Sequence, residues 1–197
     1  MPTPGIAGLP ADFDLEDFVR RTLAEDLGAG GDVTSIATIP PGSRLTAVIA
    51  TRDAVTLAGL GLAEAFFRAL DRDVAVERLA RDGDVAAAGA IVMRLSGDAH
   101  ALLAAERSAL NMLQHLTGIA TLTRRYVDAM AGTGCILLDT RKTLPGLRVL
   151  EKYAARMGGA ENHRIRLDDG LLIKDNHIAI AGGVAAASRR RNEPERD

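Results

Sequence analysis

The chain has 197 residues, 47% hydrophobic and 25% charged, enough for one large or two small domains with a packed core and too apolar for a disordered tail. With 24 basic side chains against 26 acidic, the net charge of −2 gives no general attraction to nucleic acid or anionic lipid, and a single cysteine, Cys135, excludes an internal disulfide or a multi-cysteine metal site. No apolar run approaches the ~20 residues that span a bilayer, and Met1-Pro2-Thr3-Pro4 lacks the features of a secretion signal. A cytoplasmic protein with no membrane or nucleic-acid partner is expected.

In chain order, Asp14 can cap a helix whose apolar residues Leu15, Phe18, Val19, Leu23 and Leu27 recur at helical spacing and stop at Gly28. Residues 28–35 read as a loop, with Gly28-Ala29-Gly30-Gly31 a helix stop because it follows a helix and lacks the Lys-Ser or Lys-Thr ending of a phosphate loop. Branched, weakly alternating stretches at 45–50, 74–79 and 91–95 predict strands, and 60–70 predicts a helix between the first two. Asp82-Gly83 and Gly89 mark turns, as in a small mixed sandwich. This first part is a scaffold without evident chemistry.

From about Asp98 the pattern becomes a long helix, with Gly118 expected to interrupt it before a second helix reaching Met130. Cys135 opens the apolar run Ile136-Leu137-Leu138 and reads as a small core residue. That run resembles a parallel strand covered on both faces, as does Leu171-Leu172-Ile173. A helix is expected from a Thr143 cap, with Pro145 in its first turn, to Gly158-Gly159, and a short alanine-rich helix after Gly182-Gly183. The arginines at 189–191 read as a solvated helix face or tail. Charge supports two units: residues 1–100 hold 9 basic and 15 acidic side chains, and the remainder reverses the sign.

In parallel α/β architectures functional groups sit where strands end. Arg141 with Lys142 ends one apolar run, Lys174 ends the other, and His163-Arg164 lies between them. Singly these residues read as surface rim. As a set they predict an electropositive pocket for a polyanionic substrate, since cations gathered without counter-ions repel. His100, His115 and His177 show no metal-ligand spacing.

Longer motifs carry a resemblance. Glu25-Asp26-Leu27-Gly28 with Gly31-Asp32-Val33-Thr34-Ser35, Glu106 to Asn111, Gln114 to Thr121, Leu138 to Gly146, and Leu172 to His177 together resemble the quinolinate phosphoribosyltransferases, over nearly the whole chain to about Gly183. The resemblance implies an α/β fold: an α+β first domain, residues 1–104, followed by an incomplete open α/β barrel, residues 105–197. It implies transfer of the phosphoribosyl group of phosphoribosyl pyrophosphate, with magnesium (Mg2+), to the ring nitrogen of quinolinate. Loss of carbon dioxide then gives nicotinate mononucleotide for NAD synthesis. By the same resemblance Arg141, His163, Arg164 and Lys174 hold the two carboxylates, and Arg107 reaches the pocket from the other subunit of a homodimer. Thr140 and Lys142 lie alongside, Lys142 near the pyrophosphate, with Lys142 and Lys174 the catalytic cations.

Two departures stand out. Ala160 and Arg166 occupy positions where many relatives have glycine. Relatives also continue past the position of Gly183 with units bearing the magnesium, ribose and 5-phosphate groups, so weak or no turnover is expected of this chain alone. A non-catalytic relative that dimerises or binds quinolinate is the alternative, and a related transferase acting on another acid is a third.

Overall fold

The computed structural model describes residues 6–190, which form two compact units divided between His163 and Arg164. In the first, Asp14 caps α1 (Leu15–Leu27) through its side chain, which accepts the Asp17 N–H at 2.9 Å, and Gly28 ends it. The expected loop over 28–35 is shorter than the sequence implied. Asp32 accepts the N–H groups of Thr34 and Ser35 and starts a six-residue helix, α2 (Val33–Thr38), which is too short to show a periodicity.

Strand β1 (Arg44–Ala50) alternates exposed and half-buried residues along its length, as a strand with one covered face must. It pairs antiparallel with β5 (Ile91–Asp98), whose other edge takes β3 (Ala75–Arg78). Short β2 (Val55–Thr56) and β4 (Val85–Ala86) form a separate pair. Helix α3 (Leu60–Leu70) buries Leu60, Leu62, Ala63, Phe66 and Phe67 in the core. Its start has no local side-chain cap; instead Asp82, 22 residues on, accepts the Leu60 N–H at 3.0 Å.

The spine is α4 (Ala99–Ala129), 31 residues without a break. The interruption expected at Gly118 does not occur. A lone glycine costs a helix only about 1 kcal/mol, and Leu113, Leu116 and Ala120 are buried on either side of it. Thr117 and Thr121, one turn apart, lock α4 to the scaffold: their hydroxyls hydrogen-bond both the N–H and the carbonyl of Ala58 and of Thr56.

Helix α5 (Arg148–Met157) packs on α4 and stops at Gly158 as expected. It starts later than a Thr143 cap predicts, because residues 145–147 are consumed by a turn in which the Leu147 N–H reaches the Leu144 carbonyl and Gly146 takes φ 82°. Thr143 instead accepts a hydrogen bond from Arg148 Nε at 3.1 Å.

The two apolar runs do not form the expected strands. Leu138 makes a single parallel bridge to Glu161, and 171–173 is extended without a ladder. Strand structure requires paired neighbours and covered faces. Among the described residues the first run has only that one bridge, the second has no pairing, and both are open to solvent: Ile136 is 62% exposed and Leu171 77%. Cys135, expected in a core, is exposed for the same reason. The α/β character stands, with helices and strands mixed along the chain.

In the second unit α6 (Asp175–Ala181) and α7 (Val184–Arg190) pack on each other across Gly182 and Gly183, whose φ values of 85° and 123° turn the chain back. Of the arginine run, Arg191 lies outside the described residues. No helix among the described residues is long and apolar enough to cross a membrane.

Candidate active site

The first unit brings two stretches of the expected site together through Asp139. The parallel bridge is closed by Asp139 N–H donating to the Glu161 carbonyl at 3.1 Å and Glu161 N–H donating to the Leu137 carbonyl at 2.9 Å. Asp139 is then left between the two chain segments, its side chain 8% exposed, where an unpaired carboxylate is costly. Its oxygens are filled by Lys152 Nζ, by Asn162 Nδ2 at 2.7 Å and by the His163 backbone N–H at 2.8 Å. Asp139 thus ties the segment carrying Arg141 and Lys142 to the segment carrying His163.

Arg141 is half-buried, and its Nε is out of solvent with no hydrogen-bond partner. Lys142 is exposed, and its N–H donates to Thr140 Oγ1 at 3.1 Å, closing a tight turn that leaves Thr140 exposed as well. Arg107 is exposed on α4.

In the second unit, Asp169 folds the loop after Arg164 by accepting the N–H groups of Ile165 at 2.6 Å and Arg166 at 3.2 Å. Partial burial raises the Asp169 pKa, but these N–H donors and the Arg166 charge outweigh it, so the carboxyl lies below its ordinary value. The Arg166 side chain is turned to Asp168. Arg164 Nη1 donates to the Gly170 carbonyl at 2.7 Å, yet Arg164 Nε is buried with no partner. Arg164 and His177 line a hollow of about 440 Å³ walled by Leu167, Leu171 and Ile173. Lys174 sits at the start of α6, exposed, its N–H donating to His177 Nδ1 at 2.9 Å.

Buried polar atoms without partners are rare because each costs about 1–3 kcal/mol, more when charged. The two orphan side-chain nitrogens among the described residues both belong to arginines expected in the site. Guanidinium groups in that state donate to carboxylates or phosphates.

Two domain models of one family match in tandem: quinolinate phosphoribosyl transferase, N-terminal domain, over residues 32–117, and the C-terminal domain over 119–195. The chain belongs to the quinolinate phosphoribosyltransferase family. Among family members, the chloroplastic nicotinate-nucleotide pyrophosphorylase (carboxylating) of Arabidopsis thaliana is 43% identical over 181 residues, covering 92% of this chain and 51% of its own. The Mycobacterium leprae nicotinate-nucleotide pyrophosphorylase (carboxylating) is 43% identical over 184 residues, covering 90% and 64%. The crystal structure of NadC from Streptococcus pyogenes superposes with a TM-score of 0.86 at 37% identity, over 90% of this chain and 62% of that one. The chain therefore spans from about half to under two thirds of the length of these family members.

No group of three or more His, Cys, Asp or Glu side chains gathers among the described residues, and Asp139 already has donors on both oxygens. The described residues do not form a magnesium site.

The residues missed in the sequence are those that hold the segments carrying the cations: Asp139, Asn162, Lys152 and Glu151. One signal was available. Glu151 and Lys152 interrupt an otherwise apolar stretch, 150–155, with Leu150 before them and Tyr153-Ala154-Ala155 after, and charges flanked in this way need partners.

Proposed function

We propose that the protein transfers a phosphoribosyl group from phosphoribosyl pyrophosphate to the ring nitrogen of quinolinate, with loss of carbon dioxide, giving nicotinate mononucleotide and pyrophosphate. The observation that supports this reading is that Arg141 in the first unit and Arg164 in the second each hold a buried Nε without a partner. A dianionic aromatic acid supplies carboxylates for such donors. In this reading Arg141, His163, Arg164 and Lys174 bind the carboxylates, Thr140 and Lys142 lie beside them, and Lys142 offsets the charge growing on the departing pyrophosphate. Arg107 comes from the other subunit of a homodimer. Magnesium enters with phosphoribosyl pyrophosphate, a cytoplasmic location belongs to the same reading, and so does a division into residues 1–104 and 105–197.

Ribosylation makes the ring nitrogen cationic. The bond to the neighbouring carboxylate then breaks, its electron pair remaining on the ring carbon beside that cation until a proton arrives. The protein's task is orientation and charge relief, and no protein nucleophile is needed.

The test compares calorimetric binding of quinolinate with that of nicotinate, which lacks one carboxylate. A carboxylate on a charged donor contributes about 1.5–3 kcal/mol, or roughly 10- to 150-fold in Kd. A preference for quinolinate in that range supports the reading; equal affinity, or no binding of quinolinate, overturns it.

A further inference from the structure

Helix α5 carries two adjacent buried charges of opposite sign that the proposed reaction does not use. Glu151 is 9% exposed and Lys152 2%. Neighbouring helix residues point about 100° apart, so these two reach different segments. Lys152 Nζ pairs with the Asp139 carboxylate, two residues before Arg141, and the Lys152 carbonyl accepts Asn162 Nδ2 at 2.8 Å. Glu151 Oε2 accepts the N–H of Leu144, three residues after Arg141, at 3.2 Å, while its Oε1 meets His115 Nε2 on α4 at 2.9 Å.

We infer that Glu151 and Lys152 are positioning residues, a two-sided clamp that fixes residues 139–144 at both ends and, through Asp139, fixes the turn that presents His163. Energetics favour position over stability as the reason for the pair. A buried ion pair stabilises a fold no better than apolar side chains of the same volume. What the charges alone supply is a set of directional bonds to Leu144, Asp139 and, through it, His163. The clamp runs from the packed α4–α5 pair to a segment whose own strand pairing is a single bridge. Without a ladder, the register of Arg141 and Lys142 is held by these side chains.

The consequence for quinolinate rests on the function proposed above, whereas the clamp itself can be read without substrate. Four variants separate the two: Lys152→Met, Asp139→Leu with Lys152→Met, Glu151→Met, and Tyr153→Phe as a control. The control removes a hydrogen bond from the same helix to Asp82 and touches neither segment. Amide hydrogen exchange at Leu144 and His163 reads the clamp; the quinolinate Kd reads its consequence.

In the double variant, which leaves no buried charge unpaired, His163 is expected to exchange at least about tenfold faster and quinolinate to bind at least about tenfold more weakly, since losing one charge-assisted hydrogen bond to a misplaced cation costs about tenfold or more in Kd. Glu151→Met releases Leu144 in the same way and leaves His163 protected. Tyr153→Phe lowers the unfolding temperature but moves neither amide nor Kd. Lys152→Met alone strands the Asp139 charge; should it fail to fold, the double variant carries the test. Unchanged exchange at both amides overturns the clamp, and faster exchange with an unchanged Kd overturns its role in positioning the quinolinate site. A wild-type chain that ignores quinolinate while its amides respond overturns the substrate reading and leaves the clamp standing.

Discussion

The docking of α5 on α4 places the whole first-unit site, and Gly158→Ala tests it. A β-carbon built on Gly158 lies 2.5 Å from the Ala120 carbonyl oxygen and 2.6 and 2.9 Å from Thr123 Cβ and Cγ2, where ordinary contacts begin at 3.4 Å. One of the opposing atoms belongs to the backbone of α4, so it cannot swing aside. The helices must part by about 1 Å or the side chain must be accommodated by strain, and overpacking of this kind costs about 1–3 kcal/mol. For a chain of this size that lowers Tm by about 2–12 °C. Thermal unfolding followed by far-UV circular dichroism measures it. The same substitution at Gly118 meets nothing within 4 Å and sits mid-helix, so Gly118→Ala gains about 0.5–1 kcal/mol of backbone entropy and raises Tm. A Gly158→Ala chain as stable as wild type, or a Gly118→Ala chain less stable, would refute the packing described for α4.

Asp71 accepts the N–H groups of Asp98 and Asp73, both at 2.9 Å, and the Asp98 bond chiefly holds its carboxyl below the ordinary 3.8. A group whose folded pKa is lowered stabilises the fold above the unfolded value and loses that contribution as pH falls through the folded one. Between pH 5 and 2 the unfolding temperature of Asp71→Asn should therefore fall less steeply than that of wild type; parallel curves would remove Asp71 from the acid response. Tyr153 donates to Asp82 at 2.6 Å, and burial followed by the Asp82 charge pushes its phenol well above the ordinary 10. Tyr153→Phe should cost about 1–2 kcal/mol in urea unfolding, and a loss near zero would mean that bond is not formed in solution. Any release of labelled carbon dioxide from quinolinate that the chain supports, with phosphoribosyl pyrophosphate and magnesium present, should drop about 100-fold in Lys142→Ala. A rate indifferent to that change would exclude Lys142 from the reaction.

Elements whose cause is local were legible in the sequence. The Asp14 cap and the spacing of Leu15, Phe18, Val19, Leu23 and Leu27 define α1, and the apolar stretch from Leu60 to Leu70 gives α3 to the residue. Elements decided by distant partners were not. Gly118 reads as a break until α4 is seen buried on both sides of it. The apolar runs at 136–138 and 171–173 read as strands, but strand formation depends on neighbours that a run itself does not specify. The candidate site divides in the same way. Its cations, Arg141, Arg164 and Lys174, stand out at or near the ends of apolar runs and in the polar stretch between them. The groups that hold the segment of the first of them, Asp139 and the Glu151–Lys152 pair, leave in sequence only the apolar flanks of 151–152 as a sign, and their burial is what marks them.

Quinolinate titrated calorimetrically into wild type and Arg141→Ala tests the central claim most directly. With the Arg141 Nε buried and lacking an acceptor, a carboxylate bound there contributes about 1.5–3 kcal/mol, and its loss should weaken binding roughly 10- to 150-fold. Equal affinity of the two chains for quinolinate would contradict the account.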